Sequence, residues 1–184
     1  MAHRVLVPLA EGFEEIEAVT VIDVLRRAGC EVIVAGLAPG IVRGGHGIEV
    51  RADTELGLVD AATIDMLVLP GGQPGTHHLS EDPRVLELVR GLHARGATVA
   101  AICAAPSLLA QAGVLAGVSV TSHPSVRAKL GPAKIDADSA VVRSGKIVTS
   151  QGAGTAMEFA LALVAECAGR AKADELARAM IVPR

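Results

Sequence analysis

A single cysteine, Cys103, lies in the stretch "AAICAAPSLLAQAG" (Ala100–Gly113), where an apolar run gives way to small residues, a proline and a helical pattern. A cysteine between a strand and a helix sits beside the first helical N–H groups, which lack intrahelical partners and carry positive potential. A thiol there gives up its proton more readily, and the thiolate is the reactive form. Pro106 fits the start of that helix, where its missing N–H does no harm. The competing reading is a small, inert core side chain, since free cysteines are commonly buried.

Glu17 is the second reactive candidate. Winding "FEEIEAVTVIDVLRRAG" at about 100° per residue places Phe13, Ala18, Val21, Val24, Leu25 and Ala28 on one apolar arc. Glu17 falls inside that arc, while Glu15, Asp23, Arg26 and Arg27 fall on the other side. A carboxylate on a buried face costs free energy unless it is paired or protonated. Burial raises its pKa, so a neutral Glu17 could donate a hydrogen bond to a thiolate. Glu14 fits better as a first-turn residue favoured by the helix dipole.

His123 ends "VSVTSH" and precedes Pro124, which favours an extended backbone. At a strand's carboxyl end it could carry protons near Cys103, or it could simply be satisfied by neighbouring backbone. Gly71 and Gly72 close "DMLVLPGG" (Asp65–Gly72), where backbone N–H groups can approach a ligand closely. With the N–H of Ala104 they could make an oxyanion site; otherwise they are an ordinary tight turn. No G-x-x-x-x-G-K-[ST] phosphate loop is present. His77 and His78 read as loop residues, His46 lies in the glycine-rich turn "RGGHGIEV", and Cys30 and Cys167 read as core residues.

These residues are useful only if the fold brings them together. The chain has 184 residues, 51% hydrophobic and 20% charged, which fits one folded domain over residues 1–184. A net charge of −3, two Phe and no Tyr or Trp argue against a nucleic-acid surface. No apolar run reaches the roughly 18 residues of a membrane span, and the N-terminal stretch is too short and acidic for a signal peptide. Three widely spaced cysteines with no C-x-x-C argue against a disulfide framework or a zinc site and for a reducing, cytoplasmic setting.

Short Val/Ile/Leu runs alternate with helical stretches. Strands are predicted at Arg4–Leu9, Glu31–Leu37, Asp65–Gly72, Ala97–Ile102 and Val118–His123, with an edge or excursion strand at Gly47–Asp53 and a hairpin over Ala140–Ser150. Helices are predicted from Glu14 to a stop at Gly29, from Pro83 with its cap at Ser80 or Asp82, after Cys103, and over Gly154–Gly169. Continuous apolar strands alternating with helices mean an α/β, flavodoxin-like, doubly wound and mostly parallel sheet. Ligands in such sheets sit at the carboxyl ends of the strands.

The combination of "EGFEEIE" (Glu11–Glu17), "LPGG" (Leu69–Gly72), "AAICAAP" (Ala100–Pro106) and "TSHP" (Thr121–Pro124) resembles the ThiJ/PfpI superfamily, in particular the branch of the parkinsonism-associated protein deglycase. The likeness extends through "IDVLRRAG", "VAGL" and "TSQGAGTAMEFALALV", so it covers essentially the whole chain. It implies a single class I glutamine amidotransferase-like domain and a homodimer without a cofactor; no metal site is expected from the residues. It implies Cys103 as nucleophile, Glu17 as the protonated carboxyl bonded to the sulfur, His123 as the nearby histidine, and the backbone of Gly72 and Ala104 as oxyanion donors, with Gly71 holding the turn. The protease branch has a histidine where this chain has Ala104, and glutaminases carry H-x-E where this chain has Ser125. Peptidase and amidotransferase activities are therefore disfavoured. His46 and Gln151 stand where close relatives carry arginine, and Ala153 where they carry proline.

Two functions are expected on this basis. One is a glutathione-independent glyoxalase and deglycase acting on methylglyoxal, glyoxal and glycated amines. The other is an oxidative-stress sensor or redox-regulated chaperone in which Cys103 becomes a sulfinate.

Overall fold

The computed structural model describes residues 2–183. In chain order the strands are Arg4–Leu9 (β1), Glu31–Gly36 (β2), Ile41–Arg43 (β3), Glu49–Arg51 (β4), Thr54–Glu55 (β5), Met66–Leu69 (β6), Thr98–Ile102 (β7), Ser119–Val120 (β8), Lys134–Ile135 (β9), Val141–Ser144 (β10) and Ile147–Ser150 (β11). The helices are Glu15–Arg27 (α1), Gly75–Glu81 (α2), Pro83–Ala94 (α3), Pro106–Gln111 (α4), Ala156–Ala168 (α5) and Arg170–Ala179 (α6).

Seven strands form one sheet in the order β10-β11-β7-β6-β1-β2-β5. Every pairing in it is parallel except the β10–β11 hairpin. Parallel strands need both faces covered, and the alternation of side chains supplies two cores. Val5, Val7 and Leu9 face one way and pack with Val21, Leu25, Phe159 and Leu163 from α1 and α5. Leu6, Leu67, Leu69, Val99 and Ala101 face the other way and pack with Val85, Val89 and Leu108 from α3 and α4.

Local signals account for the ends of the elements. α1 stops because Gly29 takes φ +86, letting its N–H and that of Cys30 cap carbonyls of the last turn. α3 starts where the Asp82 side chain accepts the Arg84 N–H at 3.0 Å.

The chain leaves β1 toward β2 and β5, then returns to the other side of β1 with β6 and β7. The strand order therefore switches between β1 and β6, and the crevice at their carboxyl ends is where such a sheet takes a ligand.

Three expectations need correction. "VSVTSH" contributes only β8, and that strand pairs with β9 in a separate two-stranded sheet. The residues beyond Val120 leave the strand to cross toward the end of β7. His77 and His78 lie on α2, not in a loop. Glu15 is buried, because the turn around His46 folds over it. Among the described residues, no helix is long and apolar enough to cross a membrane.

Candidate active site

The site begins with backbone strain. Cys103 follows β7 with φ 63, in the left-handed region. For a side chain with a Cβ this conformation costs about 1–3 kcal/mol, so surrounding contacts must hold it. Two hydrogen bonds do so. The Cys103 N–H donates to Ser150 O at the end of β11 (3.0 Å), and the His123 N–H donates to Cys103 O (2.9 Å). The sharp strand-to-helix turn leaves the thiol partly exposed at the carboxyl edge of the sheet.

Glu17 reaches the same point from α1. It is 1% exposed, and its Oε2 accepts the Gly71 N–H at 2.8 Å. Among the described residues its Oε1 has no hydrogen-bond partner, and the Cys103 thiol beside the carboxyl favours its charged form. The crowding at Gly71 shows how tightly these groups converge. A Cβ on Gly71 would lie 2.6 Å from Cys103 Cβ and 2.7 Å from Glu17 Oε2. Only a glycine lets carboxyl and thiol meet across that turn. The N–H groups of Gly72 and Ala104 lie beside the sulfur and favour its thiolate.

The two acids share this space unequally. Burial raises the Glu17 carboxyl to about 7, against the pull of the Gly71 N–H and the Cys103 thiol. Burial pushes the Cys103 thiol up to about 12, and the charge and acceptor oxygens of Glu17 add to it; the Gly72 and Ala104 N–H groups oppose the rise. The expected helix-terminus acidification is therefore outweighed when Glu17 is ionised. α4 is only six residues long, and a carboxylate beside the sulfur dominates its field. Once one proton has left the dyad, the remaining proton lies between sulfur and oxygen. With that proton on Glu17, the charge that raises the thiol is gone and the carboxyl O–H becomes a donor to the thiolate.

His123 is exposed. Its Nδ1 accepts the Ser125 N–H at 3.3 Å and lies 2.8 Å from Ser125 Oγ, which leaves Nε2 as the protonated nitrogen of the neutral ring. Its Cδ2 and the Cys103 sulfur flank Gly152: a Cβ there would lie 3.9 Å from one and 4.0 Å from the other. Gly152 is a site residue that the sequence reading passed over, and its signal was its place beside the noted Gln151. Gln151 itself turns away, donating to Ala137 O and Ser139 O at 3.1 and 2.8 Å.

His46 belongs to an adjoining cluster. Glu15 accepts the His46 N–H at 2.6 Å and the Ile48 N–H at 3.3 Å, and its Oε2 lies 2.9 Å from His46 Nδ1. Burial would raise the Glu15 carboxyl, but these hydrogen bonds outweigh it and hold the group at about 2. His46 is raised in turn by its bond to Glu15 and by the charge of Glu14. The hydrogen bonds to Glu15 thus hold the turn over α1. The structure brings Cys103, Glu17, Gly71, Gly72, Ala104 and His123 together, and leaves His77 and His78 away from the sulfur on α2.

A sequence model of the DJ-1/PfpI family matches residues 3–166. Protein dj-1beta of Drosophila melanogaster is 43% identical over 185 residues, covering 99% of this chain and 98% of the relative. Its crystal structure superposes with a TM-score of 0.96 at 42% identity over 100% of both chains. Glutathione-independent glyoxalase DJR-1.2 of Caenorhabditis elegans is 36% identical over 176 residues, covering 95% of this chain and 93% of the relative. The oxidized structure of Toxoplasma gondii DJ-1 superposes with a TM-score of 0.94 at 37% identity over 100% of both chains.

Proposed function

The chain belongs to the DJ-1/PfpI family, and on that premise we propose that it is a cofactor-independent glyoxalase and deglycase working through Cys103. One observation supports this reading above the others: a buried carboxyl and two backbone N–H groups converge on a partly exposed thiol held at positive φ. The name of the C. elegans relative supports the choice of substrate class.

The Cys103 thiolate adds to the aldehyde carbon of methylglyoxal or glyoxal. The C=O π pair moves to oxygen, and the N–H groups of Gly72 and Ala104 receive the developing charge. Protonation by Glu17 gives a hemithioacetal. Glu17 then takes the proton from the former aldehyde carbon and returns it to the neighbouring carbon, so the adduct isomerises to a thioester, with His123 assisting exchange at the exposed side. Water hydrolyses the thioester, releasing lactate or glycolate and the thiol. Early glycation adducts of amines enter by the same attack on their carbonyl-derived carbon. Exposed Ile16 and Val19 on α1 and Ile48 beside it offer an apolar face for a homodimer, and sedimentation finding only monomer at assay concentration would remove that part.

The test is Cys103→Ser. Lactate formation from methylglyoxal without glutathione should vanish while the melting temperature is retained; wild-type rates in the variant would overturn the mechanism. A sensor role is the second reading, favoured by the oxidized T. gondii structure. Peroxide would then add two oxygens to Cys103, read by intact mass, in a protein with negligible turnover.

A further inference from the structure

The other two cysteines lie against each other, far from this site. Cys30 directly precedes β2 and Cys167 lies in the last turn of α5, separated by 137 positions in sequence, yet their Sγ atoms are 3.0 Å apart. Both are free thiols. A disulfide bond is about 2.04 Å long, so closure needs a movement of about 1 Å. Cys30 is 9% exposed at the edge of the core that holds Val24, Leu25 and Val164, and Cys167 is half-buried against it.

The pair sits at the opposite edge of the sheet from Cys103. Cys30 enters β2 and Cys103 leaves β7, and parallel register through β1 and β6 sets them about 20 Å apart along the strands. Oxidation at one place therefore need not involve the other.

We propose that Cys30 and Cys167 form a reversible dithiol–disulfide site, separate from Cys103, that hydrogen peroxide closes. Hydrogen bonding from Cys167 pulls the Cys30 thiol down against burial, while the Cys167 thiol is pushed up by that same contact and by burial. The contact thus favours a thiolate in the pair, and attack through Cys30 runs in two steps. Its thiolate attacks one peroxide oxygen, the O–O bond breaks, and hydroxide leaves as water with the proton Cys30 had shed. The Cys167 sulfur then attacks the Cys30 sulfenic acid, the S–O bond breaks, and a second water carries off the hydroxyl and the Cys167 proton. The two thiols lose two electrons, and the peroxide gains them. The resulting bond pins the end of α5 to the entry of β2, and an added dithiol reverses it.

The experiment treats native wild-type protein with hydrogen peroxide, alkylates the remaining thiols and maps peptides without reduction. The expected product is one linked pair containing Cys30 and Cys167, lighter by two hydrogens and cleaved by dithiothreitol. The melting temperature should rise by roughly 5–15 °C on oxidation, as a long closed loop predicts. Cys167→Ala should lose that rise and leave Cys30 as a sulfenic acid trapped by dimedone. Recovery of both residues alkylated after Cys103 has reacted, linkage through Cys103 instead, or the same rise in Cys167→Ala would each overturn the proposal.

Discussion

Replacing Glu17 with Gln separates what the buried carboxyl does for the reaction from what it costs the fold. The two side chains have nearly the same shape. The glutamine oxygen takes the Gly71 N–H that Oε2 now accepts at 2.8 Å, which turns the NH2 group toward Cys103. The sulfur keeps a donor but loses one that can release its proton. In the native protein the carboxyl sits near 7 instead of 4.5, mainly through burial, with the Gly71 N–H and the Cys103 thiol pulling back. The folded state therefore holds this proton more tightly than the unfolded chain does. The resulting stabilisation is complete below about pH 4.5 and is lost as pH rises through about 7. At about 1.4 kcal/mol per tenfold, the loss is about 3 kcal/mol.

Glutamine does not ionise, so the variant escapes that loss. The stability of Glu17→Gln relative to wild type should be lowest near pH 5 and grow by about 3 kcal/mol by pH 8, or roughly 6–12 °C in melting temperature. Urea melts of both proteins across this range measure it. The dyad sheds only one proton over the same range, so the thiol does not mask the effect. Turnover of methylglyoxal at pH 8 should fall by roughly 10²–10⁴-fold, the usual weight of a positioned acid–base group. A stability difference that does not change with pH would mean that Glu17 does not titrate in a dry site. Wild-type turnover would mean that its proton is not the one that moves. Either result refutes the reasoning.

Two further outcomes follow from the same geometry. The dyad must shed one proton and keep one, so kcat/KM should rise through an apparent pKa near 7 and then hold level to pH 9; a fall above pH 7 would contradict the shared-proton account. Gly71→Ala inserts a methyl 2.6 Å from Cys103 Cβ and 2.7 Å from Glu17 Oε2, so it should cost about 1–3 kcal/mol in a urea melt and lower kcat more than it raises KM; unchanged kcat would show that the turn has room to spare.

Much of the sheet was legible because its strands are buried on both faces. Val5–Leu9 and Val99–Ile102 are apolar throughout and too short for a helix to be the better reading, as covered parallel strands are. "VSVTSH" carries a weaker alternating pattern, and there tertiary contacts won. His123 is needed as a donor to Cys103 O, so the chain leaves β8 after Val120. Glu17 was legible because helical periodicity alone puts it on the apolar arc. Glu15 was not, because what buries it is a turn some thirty residues away whose N–H groups at His46 and Ile48 seek an anion. The nearness of Cys30 and Cys167 was equally hidden, since it depends on how α5 lies over α1 and the start of β2.

Residue identity locates a reactive sulfur more readily than it locates the proton on it. Position alone has Cys103 acidified by the adjoining helix, yet that helix is short, and burial of the thiol together with the Glu17 carboxyl, itself kept protonated by burial up to about 7, outweighs it. The charge on the pair thus depends on desolvation, which only the packed structure defines. The same logic distinguishes the two sulfur sites. Cys103 faces a carboxyl and an open side flanked by Gly152 and His123, so its lone pair can meet an outside electrophile. Cys30 faces another thiol inside packing, so once oxidised its nearest partner is Cys167. The addition proposed at one edge of the sheet and the crosslink proposed at the other both follow from what each thiol has beside it.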